Sequence, residues 1–212
     1  QSRGLGDVYK RQDGMQFVSL GVDVARFGDD ETIIYRNYHG HCKIVRNRRG
    51  QNLMATVGDI VQEFKKIYRE HPTYEGKVYV QIDDTGLGGG VTDRLKEVRK
   101  EQKLYKMQVI PINAAEKIET DTAAGKDAAE RYNNLTTAMW ASMRDLLDNK
   151  QIVIEDDEQT IGQLSSRKYT MASNGKLEIE PKKEMKKRGL DSPDRADALA
   201  LALYLGKIKK HT

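Results

Sequence analysis

The sequence predicts an α/β domain: a mixed β-sheet with helices on its faces and an extra β-hairpin near the C-terminal end. Three observations predict it. Three extended runs open the chain, the second and third joined by a junction short enough for a hairpin. Helical and extended patterns then alternate. Finally, an Asn-Gly pair sits between two β-type runs. Consecutive antiparallel strands followed by alternating β and α describe a mixed sheet covered by helices.

Phe17 to Val24 is apolar almost throughout and reads as a buried strand. Glu31 to Tyr38 and His41 to Asn47 are enriched in Thr, Ile, Val and Tyr and read as two more, with Asn37-Tyr38-His39-Gly40 as the hairpin junction. Asn52 to Arg69 places Leu53, Val57, Ile60, Val61, Phe64, Ile67 and Tyr68 at helical spacing, with Pro72 beyond its end. Lys77 to Asp83 is a fourth strand. A glycine-rich turn follows, then a helix from Val91 to Lys100.

Met107 to Ile112 is the fifth strand. Ala114 to Gly125 is polar and predicts a mobile connection to one long helix, Asp127 to Asp148. Ile152 to Ile154 is a short extended piece and Glu158 to Leu164 a helical turn. Lys168 to Met171 and Lys176 to Ile179 flank Ser173-Asn174-Gly175, a hairpin signal. The last helix runs from Ser192 to Ile208, with Ser192 suited to its N-cap and Pro193 to its first position. Residues 1–16 are polar and Gly-rich, and read as a tail or artefact outside the domain, which spans 17–212.

Composition narrows the function classes. At 212 residues, one domain with an ordinary core is expected. Lys and Arg number 36 against 32 Asp and Glu, a net charge of +4. Placement says more than the excess: Lys182, Lys183, Lys186, Lys187 and Arg188 crowd together just before an acidic pair. Cations beside carboxylates suit a phosphate backbone. Arg46, Arg48 and Arg49 form a second basic run. Cys42 is the one cysteine, so no disulfide forms within the chain, and one Cys with four scattered His gives no zinc spacing. No apolar run approaches the ~18 residues of a membrane span.

The acids carry the chemistry. Asp23 ends the first strand and Asp83 the fourth, while Asp194 and Asp197 open the last helix, three residues and roughly 60° apart. Each has an ordinary explanation as a turn former, cap or partner of the helix dipole. Together they are the inventory of a hard-cation site, since oxygen ligands on rigid elements hold Mg²⁺ or Mn²⁺. Two such ions would serve phosphodiester hydrolysis. His39, His41, His71 and His211 fall in turns, loops or the tail and form no Ser-His-Asp or Cys-His arrangement.

The runs GVDVARFGDDETII (21–34) and VYVQIDDTGLGGGVTDRL (78–95) resemble the nuclease domain of tailed-phage terminase large subunits. So do NNLTTAMWASMRDLLDNKQIVIEDD (133–157) and KKEMKKRGLDSPDRADALALAL (182–203). The resemblance implies an RNase H-like fold. It implies a metal-dependent endonuclease that cuts concatemeric viral DNA as packaging begins and ends, using two Mg²⁺ or Mn²⁺ ions. Asp23 and Asp83 match the two strand carboxylates of that family. The third is Asp194, with Asp197 as the second choice, all four being candidate metal ligands.

The resemblance further implies double-stranded DNA as partner, contacted through Lys182, Lys183, Lys186, Lys187 and Arg188. The hairpin at Asn174-Gly175 resembles one that flanks the active site. In the full-length setting the partners are an ATPase motor domain, a small terminase subunit and a portal, in the cytoplasm of an infected bacterial host. No Walker A motif occurs in the sequence, so an isolated nuclease domain or fragment is expected. The alternatives are a Holliday-junction-resolvase-like nuclease of the same fold, a non-catalytic nucleic-acid-binding module and, more distantly, an actin-like ATPase.

Overall fold

A computed structural model describes residues 17–25, 30–114, 116–118 and 123–204. The proposed tail, the far end of the last helix at Ile208, His211 and part of the connection after Ala114 lie outside the described residues. Among the described residues, eight strands and seven helices follow in chain order: β1 (Val18–Asp23), β2 (Thr32–Tyr38), β3 (His41–Arg48), α1 (Leu53–Glu70), β4 (Val78–Asp83), α2 (Gly88–Glu101), β5 (Met107–Ile112), α3 (Ala123–Arg131), α4 (Leu135–Asp148), β6 (Val153–Ile154), α5 (Glu158–Ser166), β7 (Tyr169–Met171), β8 (Leu177–Ile179), α6 (Lys182–Lys187) and α7 (Asp194–Leu203).

Six strands form one mixed sheet in the order β5-β4-β1-β2-β3-β6, and β7-β8 is a separate antiparallel hairpin. β1 is central, antiparallel to β2 and parallel to β4. Because β1 and β4 run in the same direction with Val22 opposite Ile82, Asp23 and Asp83 end side by side at one edge of the sheet.

Alternation sorts the strand residues between two cores. Val18, Leu20, Val22, Val78, Val80 and Ile82 pack with Val57, Ile60, Phe64 and Ile67 of α1 and Val91 and Leu95 of α2. On the other face, Ile33, Tyr35, Tyr79, Ile110 and Ile112 pack with Met139, Trp140 and Met143 of α4 and the Ala/Leu run of α7. Ser19, Gly21 and Asp23 point to this second face by the same alternation. Ser19 Oγ donates to the Ala202 carbonyl at 2.5 Å, and Gln81 Nε2 to the Leu201 carbonyl at 2.7 Å.

Gly21 makes that approach feasible. A Cβ there would lie 2.0 Å from the Ala198 carbonyl oxygen and 2.3 Å from the Ala202 nitrogen, so α7 sits directly on the β1 backbone. Gly88 serves similarly at the β4–α2 turn, where a Cβ would meet the Asp83 carbonyl oxygen at 1.7 Å.

The structure adds a short helix, α6, where the sequence predicts no element, and departs from the sequence reading at three further places. The helix expected over Asp127–Asp148 is two helices. Asn134 caps α4, its side chain accepting from Thr137 N at 2.9 Å, while Asn133 N donates to the Leu177 carbonyl of β8 at 2.8 Å. Asn side chains compete with helical backbone bonds, and here that competition ends one helix and begins another. Second, α2 starts at Gly88, three residues early, with its glycines inside the first turn.

Third, α7 starts at Asp194 with Pro193 as its cap residue, and Ser192 is not the N-cap. The Ser192 hydroxyl donates to Asp194, and Gln163 of α5 takes over the capping. Its Oε1 accepts from the N–H groups of both Arg195 and Ala196 at 3.0 Å. The expected turns hold: His39 and Gly40 both have positive φ at the β2–β3 junction, and Gly175 has φ +77° in the β7–β8 hairpin.

Candidate active site

The carboxylates of Asp23, Asp194 and Asp197 converge on a single cation, the ammonium of Lys182. Its Nζ lies 3.4 Å from Asp23 Oδ2, 3.4 Å from Asp194 Oδ1 and 3.0 Å from Asp197 Oδ2. Four elements contribute to this cluster. β1 delivers Asp23 at its C-terminal end, α7 delivers Asp194 and Asp197 from its first turn, and α6 delivers Lys182. Asp83, at the end of β4, adds a negative charge that Asp23 feels. Its Oδ1 accepts from Thr85 N at 3.0 Å and from the Thr85 hydroxyl.

Asp23 and Asp194 are buried, each 6% exposed. Asp194 Oδ2 accepts from Glu31 N at 3.0 Å, and its other oxygen takes the Ser192 hydroxyl. Asp197 is held more firmly. Its Oδ1 accepts from Trp140 Nε1 at 2.7 Å and from Arg167 at 2.9 Å. The Arg167 guanidinium also lies over the Trp140 ring, 4.7 Å from its centroid.

These surroundings divide the protonation behaviour. Burial pushes the Asp23 carboxyl up to about 7; Lys182 pulls it down, while Asp197, Asp194 and Asp83 add to the rise. Burial opposes the charged form of Lys182, yet Asp23, Asp197 and Asp194 hold its pKa well above the usual lysine value. Burial would raise Asp197 too, but Lys182 and Arg167 hold it below the usual carboxylate range. Four carboxylates thus face two close cations, Lys182 and Arg167, and the cluster retains excess negative charge that a bound cation would relieve.

Among the described residues, no three His, Cys, Asp or Glu side chains are already gathered as a metal-binding group. The physical reason is visible in the cluster: the Lys182 ammonium stands between the acids, standing in for a cation. The donor set around it is entirely carboxylate oxygen, the chemistry that hard divalent cations take. The residues therefore fit such an ion, provided Lys182 gives way.

Two clefts flank the cluster. One of about 370 Å³ is lined by Asp83, Thr85, Asn134, Arg167, Lys182 and Asp197. The other, about 800 Å³, is lined by Asp30, Glu31, Arg49, Lys186, Ser192 and Asp194. The basic run expected to grip DNA is divided. Lys182 turns inward to the acids, while Lys183, Lys186, Lys187 and Arg188 are exposed. Lys186 meets Asp30 at 3.4 Å, Lys187 meets Glu184 at 2.8 Å and Arg188 meets Glu180 at 3.2 Å. His39 and His71 sit with Tyr38 at the opposite end of β1, Tyr38 and His71 stacked with centroids 3.7 Å apart.

No family model matches the sequence, and no curated protein matches it. Solved structures do match. The nuclease domain of the large terminase subunit gp2 of bacterial virus Sf6 superposes with a TM-score of 0.71 at 17% identity, covering 92% of this chain and 93% of that one. The chain has the fold of that domain. A mutant of the same Sf6 domain with manganese gives 0.70 at 16% identity, covering 93% of each chain. The large terminase nuclease from thermophilic phage G20c with bound magnesium gives 0.52 at 16%, covering 88% of this chain and 79% of that one. The RNase H-like mixed sheet expected from the sequence is thus the fold observed, and the resemblance read from the motifs recurs in three dimensions.

Sequence reasoning missed three residues of this site and gave a fourth, Lys182, another role. Arg167 carries no motif, and Trp140, which with Arg167 holds Asp197, lies in a quoted run without being singled out. Gln163, which caps α7, lies 31 residues before Asp194 in a segment read only as a helical turn. The inward role of Lys182 was hidden in a basic run. Only the solitary status of Trp140, the one tryptophan of the chain, could have singled it out.

Proposed function

We propose that this domain is a metal-dependent DNA endonuclease acting on double-stranded viral DNA during genome packaging, through phosphodiester hydrolysis assisted by two Mg²⁺ or Mn²⁺ ions. The observation that carries this reading is the convergence of Asp23, Asp194 and Asp197 within 3.4 Å of one cationic point, beside Asp83 at the end of the adjacent strand. The likeness to the Sf6 and G20c nuclease domains supports it.

Asp23, Asp83 and Asp194 would hold the ions, Asp23 between the other two. When bound, such a pair supplies activation of the attacking water and stabilisation of the leaving oxygen. The protein's own residues supply the rest. Asp23 and Asp194, buried on a strand end and a helix start, keep their positions without rearrangement. Arg167 and Lys182 line the smaller cleft, where the partly exposed Lys182 offers a donor to phosphate oxygens. Lys183, Lys186, Lys187 and Arg188 are exposed, and the ion pairs of Lys186 with Asp30 and of Lys187 with Glu184 are weak enough for a phosphate backbone to replace. Contacts of this kind position a duplex without reading its sequence.

Supercoiled plasmid incubated with Mn²⁺ is the direct test. The wild type nicks and linearises it, chelation with EDTA stops the reaction, and Asp23→Asn abolishes it. Undiminished cleavage by Asp23→Asn would sink the assignment. Salt-sensitive duplex binding without cleavage in any divalent metal would point instead to a non-catalytic binding module. The motor domain, small subunit and portal belong to the same proposal, as partners of a longer assembly.

A further inference from the structure

Asp194 and Asp197 lie one turn apart at the start of α7, and the sequence leaves both open as the third acidic ligand. Their surroundings separate them. The partners of Asp194 are a hydroxyl that can rotate away, one backbone N–H and the Lys182 ammonium at 3.4 Å. Asp197 is instead paired with a fixed cation. Arg167 has a side chain only 4% exposed, donates to Asp197 Oδ1 at 2.9 Å, and is itself locked by Nε donating to the Glu180 carbonyl at 2.9 Å.

Trp140, 3% exposed, closes the clamp. Its indole N–H reaches the same carboxylate oxygen, and its ring lies under the guanidinium. Recruiting the clamped Oδ1 of Asp197 to a metal would strand a buried guanidinium and a buried indole N–H without their acceptor, which is strongly unfavourable. The remaining Asp197 oxygen makes the closest contact of Lys182 with any of the three acids, at 3.0 Å.

We propose that Asp197 is a positioning residue: the Trp140–Arg167 clamp fixes it so that it anchors the Lys182 ammonium, and Asp194 alone completes the acidic set from α7. Lys182 can then leave Asp23 and Asp194 to an incoming cation while staying tethered to Asp197. This assignment rests on the metal-site reading above, but the anchoring can be measured without metal.

Two measurements on the full chain test it. In the first, without metal, lysines are acetylated with acetic anhydride and followed by peptide mass spectrometry, with exposed Lys183 as internal reference. Lys182 labels slowly in the wild type, and Asp197→Asn, which removes its closest contact, speeds its labelling by about tenfold. Trp140→Phe keeps the Arg167–Asp197 ion pair, and so keeps the test in a folded protein should Asp197→Asn unfold. It speeds labelling about threefold, a fraction of the worth of one hydrogen bond to a carboxylate, because the Arg167 contact remains.

In the second, MnCl₂ alone is titrated calorimetrically. Asp194→Asn weakens Mn²⁺ binding by well over about a hundredfold, while Asp197→Asn weakens it by about ten- to a hundredfold at most, as for a supporting residue. Equal losses in the two variants overturn the assignment. Unchanged Lys182 labelling in both Asp197→Asn and Trp140→Phe overturns the anchoring, whatever the metal does. Accelerated labelling in a protein that takes up no Mn²⁺ overturns the metal reading and leaves the anchoring standing.

Discussion

Gly21→Ala tests whether the contact of α7 with β1 sets the site. A Cβ at Gly21 would fall 2.0 Å from the Ala198 carbonyl oxygen, where ordinary contact begins at 3.4 Å, and 2.3 Å from the Ala202 nitrogen. Both obstacles are backbone atoms of one helix, so no rotamer change relieves them. The helix itself must retreat from the sheet by about 1 Å or more. Overpacking of this kind costs about 3 kcal/mol, the upper end of the usual range, because two rigid contacts are violated together. In a chain of this size that lowers Tm by roughly 6–12 °C. The same retreat draws Asp194 and Asp197 away from Asp23, and a misplacement of about 1 Å in a reacting constellation costs on the order of a hundredfold in rate. Gly58→Ala is the control: nothing lies within 4 Å of a Cβ there, inside α1, and the change gains up to about 1 kcal/mol of helix propensity. Thermal unfolding followed by circular dichroism reads both. A Gly21→Ala protein melting within about 2 °C of wild type would falsify the close-packing argument.

Three further outcomes are expected. Asp23 has its pKa raised from 3.8 to about 7 in the folded state, so its contribution to stability is full below about pH 4 and is lost as pH rises through about 7. Metal-free Asp23→Asn, which cannot ionise, therefore melts above wild type at pH 8 and close to it at pH 4; equal melting at pH 8 would refute the burden placed on Asp23. Mn²⁺ at a hundred times its dissociation constant stabilises the wild type by about 2.7 kcal/mol, several degrees in Tm, and leaves Asp23→Asn unmoved; a matching rise in both proteins would argue for binding elsewhere. Gln163→Leu removes the acceptor of two N–H groups at the start of α7 and costs about 0.5–2 kcal/mol, read by urea unfolding, whereas no loss would mean that solvent caps the helix as well.

Much of the site was legible because its signals are local. An apolar run ending in Asp says that a carboxylate sits at a strand end, and the structure makes the two such strands parallel neighbours. Register then does the rest, as Val22 opposite Ile82 places Asp23 beside Asp83. The three-residue spacing of Asp194 and Asp197 likewise follows from helix geometry alone. The boundaries that failed have two origins. Asn134 caps α4 through the nearby Thr137 while the backbone of Asn133 pairs with β8, and Gln163 reaches across the fold to displace Ser192 from the capping role.

By itself, then, the sequence determined the order of the first five strands and the helices between them, the mixed sheet and the presence of acids at three element ends. Those properties depend on periodicity and on residues within a few positions of each other. Only the tertiary structure decided which oxygens meet. The close approach of α7 to β1 at Gly21 spans 177 or more residues of chain. The contact of Lys182 with Asp23 spans 159, and the bond from Trp140 to Asp197 spans 57. A basic run looks the same in sequence whether its lysine faces solvent or three carboxylates. Burial and the surrounding charge separate the two, and both exist only once the chain has packed.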